Sequence, residues 1–324
     1  MNGVLGILKP PGPSSHEVVA RLRRITGLQR IGHGGTLDPA AAGVLPICLG
    51  AATRLSPFLH LPPKTYRFLL VLGETTPTLD QTAPVTTRVP AGHLRATDLE
   101  ALLNRFRGPI QQRVPVFSAR KQHGTRRYAY ARRGIAVEPL VATCTVHRLE
   151  LLAWQSASAP LALCQLECSA GTYVRALCAD LGDALGVGGH MGALVRTRAA
   201  GLEASACLTL EEVEACMRAG DLPRMLRAPA EALWFLPSLC VVGEEARAVC
   251  HGRPPGRRVA ADSEDGSALP ATTGSDEDGM SPPPTTTGFV RLLDADGRLL
   301  AVAERQREGR IEGYRMAAVL ASPE

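Results

Sequence analysis

Asp38 is the only carboxylate between Glu17 and Glu74. It stands in RIGHGGTLDPAAAGVLPICLG, Arg30 to Gly50, after paired glycines and directly before Pro39. A lone acid in such a turn has two uses. It can cap a helix, as Asp ahead of Pro-Ala-Ala commonly does. It can instead be a group that the turn holds against a ligand. An Asp is ionised at neutral pH, since its free pKa is about 3.9, and it can attack a reacting centre or stabilise it and then leave. The glycines let backbone pass close to a ligand. Pro39 fixes the chain beyond the acid and turns Asp38 away from helical angles. AAAGVL then reads as a helix start, whose open amides would stabilise the anion.

Other residue types fit the second use. A carboxylate shielded by a bound base needs a partner, and the rigid, permanently charged fork of an Arg suits that task better than a Lys. GTYVRALCADLG offers Arg175, two residues after Tyr173, a spacing that on a strand puts both on one side. KTYRFLLVLG offers Tyr66, whose ring gives a face for a base, with Lys64 two residues before it to meet a phosphate or close the pocket wall. His33, five residues before Asp38, can hydrogen-bond an anion such as a phosphate. Each also has a plain structural reading: a strand-end ion pair, a core tyrosine, a turn histidine. Asp80, in GETTPTLD, reads as a loop acid.

The elements that must position these groups are legible in outline. GVLGILKP reads as a strand ended by Pro10. Ser14 and Glu17 form a capping box for a short basic helix carrying Val18, Leu22 and Ile25. Thr65 to Gly73 reads as a strand, as do VATCTVHRLELLAW and LALCQLECSAGTYV, after which YVRALCADLGDALG turns helical. Thr97 and Glu100 start a helix with Leu99, Leu102, Leu103 and Phe106. Thr209 and Glu212 start another, which stops at Gly220. After about residue 238 the chain reads as a small β-rich module with a hairpin about DADG. It is interrupted by an acidic tract, 261–287, with six acids and no base, which cannot build a core and is expected to be a mobile loop.

The chain has 324 residues, 45% of them hydrophobic, and a net charge of +5. Such a composition is globular and mildly basic. The charge is unevenly placed. From Ala101 to Val137 there is no acid, while nine bases occur, Arg120, Lys121, Arg132 and Arg133 among them, with Phe117, Tyr128 and Tyr130 interleaved. Arg clusters with aromatics clamp phosphates and stack on unpaired bases, so this segment points to a nucleic acid. A surface helix would instead mix charge signs for i,i+4 pairs. No run of about 18 apolar residues suggests a membrane span. None of the nine cysteines forms a CxxC pair, which fits buried thiols in a reducing compartment, and a cytoplasmic location is expected.

Taken in order, the motifs resemble those of the bacterial tRNA pseudouridine-55 synthases of the TruB type. The resemblance runs through NGVLGILKPPGPSS, RIGHGGTLDPAAAGVLPICLGAATRL, KTYRFLLVLGETTPTLD, FRGPIQQRVPVFSARKQHGTRRYAYARRG, CSAGTYVRALCADLG and HMGALVRTRAAG, and resumes at GFVRLLDADGRLLAV. It implies an α+β fold with a mainly antiparallel central sheet, a catalytic domain over residues 1–236 whose basic clamp spans about 105–137, and a PUA-like RNA-binding module over 238–324. It implies isomerisation of one uridine in the T loop of tRNA, by base flipping and a catalytic aspartate, with no cofactor or metal, no membrane and no obligate protein partner. Asp38, Tyr66 and Arg175 take the catalytic positions. His33, Lys9, Lys64, Tyr173, Leu194, Arg120, Lys121, Arg132 and Arg196 take substrate-binding ones. The chain departs from the pattern at Leu8, Val114, Phe117, which lacks a usual tyrosine hydroxyl, and Val195, which stands for an Arg. Three other readings compete: a non-catalytic RNA-binding protein on the same scaffold, a hydrolase working with two carboxylates, and a synthase of this class acting on another uridine.

Overall fold

The computed structural model describes residues 1–118, 120–122, 125–127, 130, 135, 138–256, 258–259, 288–308 and 311–320. The acidic tract 261–287 and Arg132 lie outside them, as does the side chain of Lys121.

The elements follow in the order β1 (Gly3–Lys9), α1 (Ser15–Thr26), β2 (Ile31–His33), β3 (Ala42–Leu49), β4 (Lys64–Leu72), β5 (Glu74–Thr75), β6 (Thr87–Arg88), α2 (Ala96–Leu103), β7 (Gly108–Arg113), β8 (Lys121–Gln122), β9 (Thr125–Arg126), β10 (Val141–Gln155) and β11 (Leu161–Cys168). Then come α3 (Val174–Ala184), β12 (Gly189–Ala199), β13 (Leu202–Glu203), α4 (Leu210–Ala219), α5 (Pro229–Ala232), β14 (Ser238–Cys240), α6 (Gly243–Cys250), β15 (Arg258–Val259), β16 (Phe289–Leu293), β17 (Leu299–Glu308) and β18 (Ile311–Val319).

The central sheet runs β1-β3-β12-β4-β11-β10-β7, with β2 on β3 and β13 on β12. Every pairing in it is antiparallel except β3 with β12. This is the α+β architecture expected. β4 shows why the sequence takes it. Its side chains alternate strictly, Lys64, Tyr66, Phe68, Leu70 and Leu72 inward and Arg67 outward. The inward row meets Leu166 and Cys164 of β11 and Leu177 and Leu181 of α3 in one apolar core. The capping boxes at Ser14 and Thr209 form as read, each with its Glu closing back on the cap amide at 2.7 Å.

Four local expectations are corrected. Ala42–Leu49 is a strand, not a helix, because its apolar run is buried between β1 and β12, and tertiary pairing outweighs alanine's helix preference. Gly43 is the residue that permits this. It has φ +105°, and a Cβ there would lie 2.2 Å from the Arg196 carbonyl oxygen. Arg175 lies in the helix read from YVRALCADLGDALG, so it and Tyr173 do not share a face by strand alternation. α2 begins at Ala96, with the Arg95 amide donating to Asp98 Oδ2 at 2.8 Å, so Thr97 lies inside the first turn. Phe106 falls in a following 3-10 turn.

The second sheet runs β14-β16-β17-β18-β15, and Phe289–Leu293 and Leu299–Glu308 form the hairpin read around DADG. It has a small core of its own, with Val290, Leu292 and Ala301. It also shares a core with the first unit, where Phe58, Leu59 and Leu236 meet Leu299, Val302 and Leu320. Phe58 and Phe289 cross edge to face, 5.2 Å between centroids.

Candidate active site

Asp38 is not at a helix end. It opens a turn, Asp38-Pro39-Ala40-Ala41, closed by the Ala41 amide donating to the Asp38 carbonyl at 3.0 Å. Pro39 supplies the fixed φ of the second turn position. The turn is braced from behind. Lys9 Nζ donates to the carbonyls of Pro39 (3.1 Å) and Ala41 (2.6 Å) as well as Pro10. Arg196, 1% exposed, donates to Val44 O (2.7 Å), Gly35 O (3.0 Å) and Thr36 O. Ser15 Oγ both donates to Leu37 O and accepts from Leu37 N. Asp38 is thereby presented outward with its side chain 44% exposed.

Arg175 meets it. Arg175 Nη2 lies 3.0 Å from Asp38 Oδ2, and the Arg175 side chain is only 7% exposed. The rest of the guanidinium is also occupied. Nη1 donates to Thr78 O (3.1 Å), Nη2 to Phe117 O (3.0 Å), and Nε faces Asp80 Oδ2 at 3.7 Å. The Phe117 contact is made by backbone, so the missing tyrosine hydroxyl does not affect it.

Asp80 is the residue the sequence reading undervalued. It is 5% exposed, not a solvated loop acid. Its Oδ1 accepts from Thr78 Oγ1 (2.7 Å), from the Thr82 amide (3.0 Å) and from Thr82 Oγ1, while its backbone carbonyl takes Thr76 Oγ1 at 2.7 Å. The spacing TLDQT, Thr78 to Thr82, is the available signal: a hydroxyl two residues to either side of Asp80 wraps the buried carboxylate. The loop is sewn to β12 by Met191 N donating to Leu79 O and Gln81 N to Met191 O, with Leu79 held at φ 61°. A non-glycine residue there stores about 1–2 kcal/mol of strain.

Two cavities flank the Asp38–Arg175 pair, and both residues line both. One, of about 780 Å³, reaches His33, His16 and the N-terminus of α1. The other, of about 340 Å³, is walled by Tyr66, Lys64, Tyr173, Leu194, Arg196 and His60. The structure therefore brings Asp38, Tyr66, Arg175, His33, Lys64, Tyr173, Leu194 and Arg196 together. Lys9 stands behind the turn. Arg120 is exposed, on the basic segment. His60 had no motif to announce it.

The second cavity is electropositive, with Lys64, Arg175 and Arg196 lining it against Asp38. Burial lowers Lys64 to about 8, with Arg196 adding to it. Burial also lowers Lys9 to about 8, opposed by Asp38. Lys64 Nζ donates to His60 O (2.7 Å) and Pro62 O (3.1 Å). His33 and His60 are lowered chiefly by burial, then by Arg196 and His16 for His33, and by Lys64, His33 and Arg196 for His60. Burial raises the Tyr66 phenol, partly offset by Arg196, so Tyr66 is a neutral phenol at physiological pH.

The sequence and the fold both have known relatives. Residues 23–174 match the TruB family pseudouridylate synthase (N terminal domain), and residues 175–233 match the tRNA pseudouridylate synthase B C-terminal domain. The chain is 44% identical over 258 residues to a protein named tRNA pseudouridine synthase B from Symbiobacterium thermophilum, covering 80% of this chain and 84% of that one. It is 40% identical over 309 residues to the protein of that name from Moorella thermoacetica, covering 95% of each. Among solved structures, a chain of a Cbf5-Nop10-Gar1 complex superposes with a TM-score of 0.71 at 25% identity, covering 99% of this chain and 85% of that one.

Proposed function

The chain belongs to the TruB family of pseudouridylate synthases, and on that premise we propose that Asp38 is the group through which it converts a uridine in the T loop of tRNA to pseudouridine. The observation that carries this reading is the Asp38–Arg175 pair, 3.0 Å apart, at the seam of two cavities that open on a nucleotide-sized space. The reaction breaks the N-glycosidic bond and joins the same uracil to the ribose through carbon. It changes no oxidation state, and every atom of the uridine is retained.

The target atoms are hidden in a stacked loop, so the uridine has to be flipped out. Its nucleoside enters the 340 Å³ cavity, where Tyr66 offers a ring face and Leu194 an apolar wall. Asp38, exposed where Arg175 is buried, can reach ribose C1′ or uracil C6. Arg175 holds the carboxylate in place and keeps its charge compensated while the base excludes water. Neighbouring nucleotides lie along the larger cavity towards His33. The basic segment 105–137, with Arg120, Lys121 and Arg132, clamps phosphates, and the module from 238 grips the far side of the tRNA. The work is done where tRNA matures, in the bacterial cytoplasm.

Lys9 and Arg196 act on the turn instead of on RNA, since their donors already meet backbone carbonyls. The hydrolase reading loses support from Asp80. Both its oxygens are engaged, so it is not free to work as a second acid or base.

The test is D38N. We expect no pseudouridine by base-resolution mapping of incubated tRNA, with T-arm RNA still bound within ~3-fold of wild type. Full activity in D38N would overturn the assignment, and free uracil as product would point to hydrolysis. A modified uridine outside the T loop would leave the chemistry and move the substrate.

A further inference from the structure

We propose that Gln112 is a positioning residue for Arg175, and that through it the first strand of the basic segment is built into the catalytic site. The proposal rests on the assignment of Asp38 and Arg175 above. α3 begins at Val174, and its N-cap, Tyr173, has no side chain that caps the helix. Helix starts leave amides that need an acceptor. Gln112, on β7 and 1% exposed, reaches across to this end. Its Oε1 accepts from the Tyr173 amide at 3.0 Å, and its Nε2 donates to the Tyr173 carbonyl at 3.3 Å. The same Oε1 takes the Cys144 thiol at 3.4 Å. One side-chain amide thus grips both polar groups of one backbone unit, two residues ahead of Arg175.

The grip is specific. A buried amide is costly unless bonded, and a residue that only filled this space would be a Leu or Met. The same segment then touches Arg175 again. Past β7 the chain reaches Phe117, whose carbonyl accepts from Arg175 Nη2. So residues 108–118 fix the backbone that carries Arg175 and also the guanidinium itself. These residues lie within the acid-free run, 101–137, that the proposed function assigns to RNA. Phosphate contacts on that run and the geometry of the Asp38–Arg175 pair therefore share one strand.

The experiment compares Q112M and Q112E with wild type in single-turnover and steady-state assays on T-arm RNA. Activity is expressed per folded molecule, with the folded fraction taken from RNA-binding stoichiometry. Q112M keeps the length and removes both bonds. We expect kcat to fall ~10-fold or more, with the RNA Kd within ~2-fold. Q112E keeps the shape and the acceptor, but as a carboxylate it cannot donate to the Tyr173 carbonyl. Protonated, it can. Burial of this position favours the protonated form, with Asp180, which acts on neighbouring Cys144, adding to it and Arg113, which acts on Asp180, opposing it. The ratio of Q112E to wild-type kcat should therefore rise as pH falls, a readout that loss of stability alone would not give. Q112M with kcat per folded molecule within ~2-fold of wild type, or with only Kd or KM raised, overturns the proposal, as does a Q112E ratio flat with pH. D38N keeps the two readings apart. An active D38N sinks the role of Asp38, whereas an inactive D38N beside a fully active Q112M sinks the role of Gln112 alone.

Discussion

Replacing Arg175 by Lys keeps the positive charge and removes the fork, which makes it an informative perturbation of this site. The guanidinium serves four acceptors: Thr78 O, Phe117 O, Asp38 Oδ2 and Asp80 Oδ2. A tetrahedral ammonium cannot span them. It should stay with Asp80, because Asp80 is 7% exposed and Asp38 is 44% exposed, and the deeper carboxylate is the costlier to leave unpaired. Asp38 then loses a charge-assisted contact of about 1.5–3 kcal/mol. If that contact is held through the transition state, kcat falls about 10- to 150-fold. Two backbone bonds are lost as well, lowering stability by about 1–3 kcal/mol. Arg175 lies beneath the cleft surface, so T-arm RNA binding should change by less than ~3-fold. Single-turnover pseudouridine formation and equilibrium RNA binding on the same protein decide it. R175K with wild-type kcat, or with intact kcat and RNA affinity weakened tenfold or more, would refute the reasoning, because the guanidinium would then not be holding Asp38.

Two further outcomes follow from the same geometry. Gly43→Ala forces a side chain into φ +105° and against the Arg196 carbonyl at 2.2 Å. It should cost about 3 kcal/mol or more, read as a fall in Tm of about 5–10 °C, with kcat per folded molecule reduced because Arg196 braces the Asp38 turn. His33 and His60 have folded-state pKa values below the unfolded value of 6.5. Below that pH the unfolded chain binds more protons than the folded one. The stability from these two groups is therefore complete above about pH 6.5 and is lost as pH falls through their lowered values. H60Q should flatten part of the fall in Tm between about pH 7 and about pH 5, and an unchanged slope would show that His60 is not buried neutral.

Much of this protein was legible one residue at a time. The alternation of Lys64, Tyr66 and Phe68 determined which face of β4 looks into the core. The capping boxes at Ser14 and Thr209 and the hairpin around DADG were equally plain, because each depends on neighbours within a few residues. The ordered motifs pointed to the family and to Asp38. The surroundings of Asp38 did not follow from local rules. AAAGVL looked helical, but pairing with β1 and β12 makes it extended. Tyr173 and Arg175, two apart, suit one face of a strand, but Tyr173 is the N-cap of the helix that YVRALCADLGDALG announces.

The residues that complete the site are joined across the chain: Asp80 to Arg175, Arg196 to Gly35 and Val44, Gln112 to Tyr173. A buried polar group selects its partner by what else lies within hydrogen-bond reach once the sheet is assembled. Composition and spacing along the chain set the chemical types available to the site. Only the folded sheet, by bringing backbone carbonyls up to Lys9 and Arg196, decided which cations brace the Asp38 turn and left Asp38 as the charge that faces outward.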